Sequence, residues 1–297
     1  MFWQQLADGA LDALLDTVKL IPFLYLSYLL MEVLERHAGE RTEAAVARSG
    51  RAGPLLGALL GVLPQCGFSA AGAGLYAGRV VSLGTLLAVF LSTSDEMLPV
   101  LIAGGASPMR ILKILGIKVV VAALAGFAAD GLCRLLSRRK PGEGAHLHID
   151  EMCRTERCHC EGHSVWLAAL IHTAQIALTV LAVAFALNMT IALIGQAALE
   201  NFMQSVPALS CLLSALVGLI PNCAASVAIT ELYLSGVLSA GAMLSGLLCG
   251  AGVGLLVLFR VNRPVRDSLR VLVILFGVSL AVGLAFDALS LGTLLCL

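Results

Sequence analysis

The chain has 297 residues, of which 59% are hydrophobic and 13% charged, and its mean hydropathy is +0.94. A soluble domain carries about 25% charged residues, so this composition excludes an ordinary water-soluble fold and requires that most of the surface face lipid. Basic and acidic residues balance at 19 each, which points to no nucleic-acid partner.

The first residues, Met1-Phe2-Trp3-Gln4-Gln5, carry neither a basic leader nor a small-residue cleavage site, so no cleaved signal peptide is expected. A spanning helix needs about 20 apolar residues. Runs of that length are predicted at 11–35, 82–103, 111–133, 166–195, 238–259 and 271–295. Two further apolar stretches, 54–78 and 207–235, are interrupted by Pro64 and Pro221. Each divides into two arms too short to cross alone, and is read as a pair of half-helices meeting at a Pro-containing tip. A single kinked helix is the alternative, since membrane helices tolerate proline.

An internal duplication favours the paired arms. An offset of 157 residues, Pro64 to Pro221, lays Gly61-Val-Leu-Pro64-Gln65-Cys66-Gly-Phe-Ser69 over Gly218-Leu-Ile-Pro221-Asn222-Cys223-Ala-Ala-Ser226. Without a gap the register continues, pairing Ser82 with Ser239, Gly84 with Gly241, Lys113 with Arg270 and Asp130 with Asp287. The expected fold is therefore an all-α integral membrane protein of two repeats. Residues 1–135 form the first, residues 136–165 a connecting loop, and residues 166–297 the second. Broken segments at corresponding positions of two halves are the sequence mark of a transporter's central site. Basic residues accumulate on cytoplasmic loops. With each broken segment returning to its starting side and the N-terminus outside, all but Lys19, Arg110, Lys113 and Lys118 fall on the cytoplasmic side, 15 of 19. Each half then crosses an odd number of times, so the repeats are expected to be inverted, in a multi-pass protein of the cell's inner (plasma) membrane.

Three constellations carry chemistry. The first is the pair of tips, with Gln65, Cys66 and Ser69 in one half and Asn222, Cys223 and Ser226 in the other. Proline frees the carbonyl one turn before it, and the next arm starts with unpaired N–H groups, so such ends can hold an ion or a polar substrate. Cys223, Ser226 and Thr230 share one face of the second arm. Small packing residues would account for the same pattern. The second constellation is Ser94-Asp95-Glu96, inside an otherwise apolar span, with Glu231 as a further intramembrane acid. Adjacent carboxylates there cost several kcal/mol unless neutralised, paired or bound to a cation. Pairing to Lys113 or Lys118 on the next helix is the structural alternative. The mates of Asp95 and Glu231 are Gly252 and Gly74, which suggests one composite site rather than two equal ones. His172, Gln175 and Asn188 offer either a proton path or interhelical hydrogen bonds.

The third is the loop from His146 to His163, which holds four histidines, three cysteines and four carboxylates in eighteen residues. His146, His148, Cys153, Cys158, His159, Cys160 and His163 suit zinc, copper, cadmium or trivalent arsenic. Their spacing matches no structural zinc module, so a flexible capture or sensor segment on the cytoplasmic side is expected.

On the paired tips and the Ser94-Asp95-Glu96 run between them, the chain resembles the ten-transmembrane heavy-metal exporters, a group labelled both as arsenic efflux proteins and as manganese transporters. Counting each arm as a membrane helix gives about ten here as well. The resemblance implies export of a metal ion or metalloid. With no G-x-x-x-x-G-K-[ST] loop in the sequence and two inverted halves, a secondary transporter working by alternating access is expected, not an enzyme, with proton coupling one option. The resemblance implies no resident cofactor: the metal is cargo, bound transiently. The lipid bilayer is the expected partner, and a homo-oligomer is left open. An oxyanion or sulfur-anion transporter and a membrane-embedded thiol oxidoreductase stand as alternatives. The membrane acids favour a hard or borderline divalent ion and the cysteines a soft one, so the residues do not choose the substrate.

Overall fold

A computed structural model describes residues 52–136 apart from 64, 65, 95 and 96, residues 209–292 apart from 222, and single helical residues between 11 and 29 and between 166 and 185. All the regular structure among them is helical. In chain order the helices are α1 Gly53–Gly61, α2 Cys66–Ala77, α3 Leu83–Ser92, α4 Met97–Ala103 and α5 Pro108–Leu136, followed by α6 Ser210–Gly218, α7 Cys223–Leu234, α8 Ala240–Cys249, α9 Val253–Val261 and α10 Val265–Ala288.

Four stretches among the described residues are long and apolar enough to cross a membrane: Leu83–Ala103, Pro108–Leu135, Ala240–Val261 and Val265–Ala288. They differ in where they sit. In the first and third, 69% and 78% of the apolar window is buried inside the protein, against 22% in each of the other two. The segments α3–α4 and α8–α9 therefore form the centre, and α5 and α10 turn most of their apolar surface outward. Leu112, Val120, Leu124 and Leu132 on α5 and Leu269, Val273 and Leu284 on α10 are exposed, as lipid-facing side chains would be.

The short arms pack against these central segments. Gly53 and Gly57 of α1 approach Thr85, and Gly61 approaches Ser92, so α1 runs in the direction of α3. Gly72 of α2 lies against Leu86 and Val89, and five residues separate the end of α2 at Ala77 from the start of α3 at Leu83, so α2 runs back along the same helix. The chain thus reverses between Gly61 and Cys66. Its counterpart behaves alike: Cys211 O accepts from Ser245 Oγ at 2.9 Å, Gly218 meets Gly246, and Ile229 of α7 comes back to Gly246. At about 1.5 Å per residue, the 9 residues of α1 and the 12 of α2 reach only part-way through a bilayer core of about 30 Å.

One contact occurs twice, 157 residues apart. Ser82 caps α3 by accepting from Thr85 N at 3.1 Å, and Ser239 caps α8 by accepting from Ala242 N at 3.0 Å. Asp130 accepts from Ser82 Oγ at 2.7 Å and from Gly84 N at 2.8 Å. Asp287 accepts from Ser239 Oγ at 2.6 Å and from Gly241 N at 2.9 Å. A carboxylate at a helix N-terminus satisfies free N–H groups and meets the positive end of the helix dipole. Gly84 and Gly241 are required there, because a Cβ would collide with the backbone oxygens of Gly126 and Gly283. Such small-residue crossings are how membrane helices approach closely without a hydrophobic driving force.

Candidate functional site

The two central segments are not continuous helices, which the apolar runs at 82–103 and 238–259 did not foretell. α3 ends at Ser92, Thr93 leaves the helix with φ −51° and ψ 128°, and α4 resumes at Met97. α8 ends at Cys249, and α9 resumes at Val253 after Gly252, whose φ of 54° and ψ of −142° suit glycine alone. The breaks fall at corresponding places, since Gly252 is the repeat mate of Asp95. Each break frees carbonyls at the end of one half-helix and N–H groups at the start of the next.

The returning arms bring each half to the other's break. α2 packs along α9, and α7 along α4. Ser69 of α2 is fully buried, and its backbone and Cβ stand 2.7–2.8 Å from where a Cβ on Gly254 would lie. The second half's break is thus closed over by the first half's arm. The returning arms and the half-helices after the breaks thus form one central region made by both halves.

The sequence-predicted residues fall into three groups. Ser69, Ser94 and Thr230 are buried and Ser226 is half-buried, all on elements of this region. Their hydroxyls are partly engaged locally: Ser94 Oγ donates to Ser92 O at 3.0 Å, and Thr230 Oγ1 donates to Ser226 O at 2.7 Å. Ser92 and Thr93 likewise donate to carbonyls one turn back. Glu231 is exposed while its neighbour Thr230 is buried, so the structure does not bring it to Thr230's face of α7. Gln65, Asp95, Glu96, Asn222, His172, Asn188 and the loop residues His146, His148, Cys153, Cys158, His159, Cys160 and His163 lie outside the described residues, as do the side chains of Cys66 and Cys223. Gln175 is half-buried on a helical stretch. Among the described residues no three of His, Cys, Asp or Glu gather to hold a metal ion.

Sequence reasoning missed Lys118 as a site residue, weighing it only as a partner for the acids. It lies on α5, is fully buried, and its ammonium donates to Thr93 O and, at 3.1 Å, to Leu247 O. Both carbonyls belong to the C-terminal ends of broken half-helices, one from each half. An ammonium there meets the negative ends of two helix dipoles. The signal available was a lysine near the middle of an apolar run whose repeat mate is Leu275.

A second polar cluster ties the halves together at one end of the molecule. Asp267, at the start of α10, accepts from Arg79 Nη1 at 3.0 Å, from Tyr76 Oη at 2.9 Å and from Asn262 Nδ2 at 3.1 Å. Arg79 also lies over the Tyr76 ring, 5.3 Å from its centroid, and is held in the left-handed region with φ 61°. Its repeat mate, Gly236, has φ 76°.

Long apolar helices, small-residue crossings and half-helices broken at the centre define a multi-pass, all-helical membrane protein. Residues 9–198 match the ArsP_2 family model, whose description is "Putative, 10TM heavy-metal exporter". The chain belongs to that family. Searches of curated proteins and of solved structures give no match.

Proposed function

We propose that the protein is a secondary transporter that carries a metal ion or metalloid out of the cytoplasm by alternating access. The observation that carries this reading is the arrangement of two interrupted helices, each covered by the returning arm of the other half, in a member of a family described as exporters. Interrupted helices give a membrane protein backbone donors and acceptors at mid-depth, where lipid offers none. In this reading the halves are inverted repeats, about ten membrane helices counting the arms, and they rock about the shared region. Ser94, Asp95 and Glu96 follow the first break and bind the cation or exchange it for protons. Cys66 and Cys223 open the returning arms and add soft ligands, with Gln65, Asn222, Ser69, Ser226 and Thr230 around them. Glu231, exposed on α7, serves at an entrance rather than at the centre. The loop from His146 to His163 captures metal on the cytoplasmic side of the inner membrane. No resident cofactor is needed, and the gradient that drives export is supplied by the membrane.

The repeat contact at Ser82–Asp130 and Ser239–Asp287 supports two equivalent halves. One observation favours a second reading: the buried Lys118 ammonium would suit an oxyanion or a sulfur-containing anion. It is already directed at two carbonyls, which argues for the cation.

The test is cellular metal content in a transporter-deficient strain carrying the wild type or Asp95→Asn/Glu96→Gln. Lowered content of one metal with the wild type alone is the expected result. Unchanged content of every metal and of arsenic with both proteins would sink the export reading.

A further inference from the structure

We propose that the carbonyls of Thr93 and Leu247 form a cation site that the protein fills with its own Lys118 ammonium. The inference stands whichever species the chain carries, because it concerns how the two broken helices are held together.

The carbonyls come first. An α-helix leaves its last C=O groups without partners, and both α3 and α8 stop inside the apolar centre. Thr93 O lies beyond the end of α3, where the chain has left the helix. Leu247 O is freed because Ala251 N turns aside to Cys249 O instead of continuing the ladder. Unsatisfied carbonyls away from water are costly, and each helix end adds partial negative charge. Two such ends meeting, one from each half, make a place where backbone carbonyls stabilise a cation.

The lysine comes second. Lys118 has zero exposure, so its ammonium has given up water, and these two oxygens are among the partners that replace it. Its repeat mate Leu275 is also fully buried. The duplicated scaffold therefore accepts an apolar side chain at this position of the long helix. The charge at 118 is a property of the first half alone, like the acids at 95 and 96, whose mates are Gly252 and Val253. A packing role would be served by leucine, as it is 157 residues later; a site that needs a cation would not.

Truncation opens the site to a cation from outside. Lys118→Ala removes three methylenes and the ammonium, which are the atoms of a propylammonium ion. Purified Lys118→Ala in detergent should unfold at least about 5 °C below the wild type in choline chloride. Propylammonium chloride should recover half or more of that shift, while propan-1-ol, similar in size but neutral, should recover none. The wild type should show no such selective response. Recovery by neither compound, or equally by both, overturns the proposal, since volume rather than charge would then be at stake. Lys118→Leu decides if Lys118→Ala cannot be isolated. With the volume filled and the charge gone, it should unfold below the wild type, and failure to fold counts as the same loss. A Lys118→Leu protein as stable as the wild type overturns the proposal outright.

Discussion

The two halves agree at their outer ends and disagree at the centre. Asp130 on Ser82 and Gly84 is reproduced, atom for atom, by Asp287 on Ser239 and Gly241. Three charges are not reproduced: near the breaks Lys118 answers to Leu275 and Asp95 to Gly252, and at one end of the molecule Arg79 answers to Gly236. The repeated contacts hold a long helix against a half-helix in each half and would be needed in any such fold. The single-copy charges bind one half to the other, or stand where the helices stop. Duplication supplied the scaffold twice, and the chemistry sits where the copies differ.

The scaffold side of that comparison can be broken most severely at its glycines. Gly84→Ala puts a methyl group against Gly126 O and the Asp130 carboxyl, so we expect a loss of about 3 kcal/mol from overpacking, seen as a collapse in thermal midpoint. Gly116, on the long helix α5 that Gly84 meets through Gly126 and Asp130, has no atom within 4 Å of an added Cβ. There Ala should be neutral or gain up to about 1 kcal/mol from helix propensity. Equal effects at the two sites would show that backbone approach is not what selects glycine.

A smaller effect tests whether the two copies are equivalent in energy as well as geometry. Asp130→Ala removes the acceptor for a hydroxyl and a backbone N–H in a buried setting, and should cost about 2–3 kcal/mol. Asp287→Ala removes the same pair, and the weak acceptor of the Cys211 thiol at 3.3 Å, from a more exposed residue, and about 1–2 kcal/mol is expected. Thermal unfolding of both variants under one condition measures the ratio. A costlier loss at 287 would show that burial does not set the strength of this contact.

The repeat was legible in the sequence because its marks are chemical. Glycine, serine and aspartate recur at one offset, and packing cannot substitute for a missing Cβ or a capping oxygen. The reversal after Pro64 and Pro221 was legible for a similar reason, since proline removes a donor and the flanking arms are short. The breaks at Thr93 and Gly250 were not. Apolar residues lie on both sides, and hydropathy counts side chains while a break is made by backbone angles. Lys118 escaped because a lysine in a span suggests only a partner acid, whereas its ammonium also donates to two carbonyls, which every residue owns and no sequence marks. Ser94 is buried, and its bond to Ser92 O depends on the break itself, which no residue pattern marks.

The smallest effect we expect is also the sharpest test of the single-copy side. Arg79 gains an ion pair to Asp267, but both side chains are partly exposed, at 32% and 22%, so the pair itself is worth at most about 1 kcal/mol. Against that gain, Arg79 holds a left-handed backbone that costs a non-glycine residue about 1 kcal/mol or more. Arg79→Ala loses the pair and keeps the strain, so it should fall by about 1 kcal/mol. Arg79→Gly loses the pair and relieves the strain, as Gly236 does in the second half, and should lie about 1 kcal/mol above Arg79→Ala, close to the wild type. If glycine and alanine unfold together, the turn is not strained at Arg79. If glycine matches the wild type in stability yet slows export, then Arg79 is there for the contact between halves and not for the fold of either one.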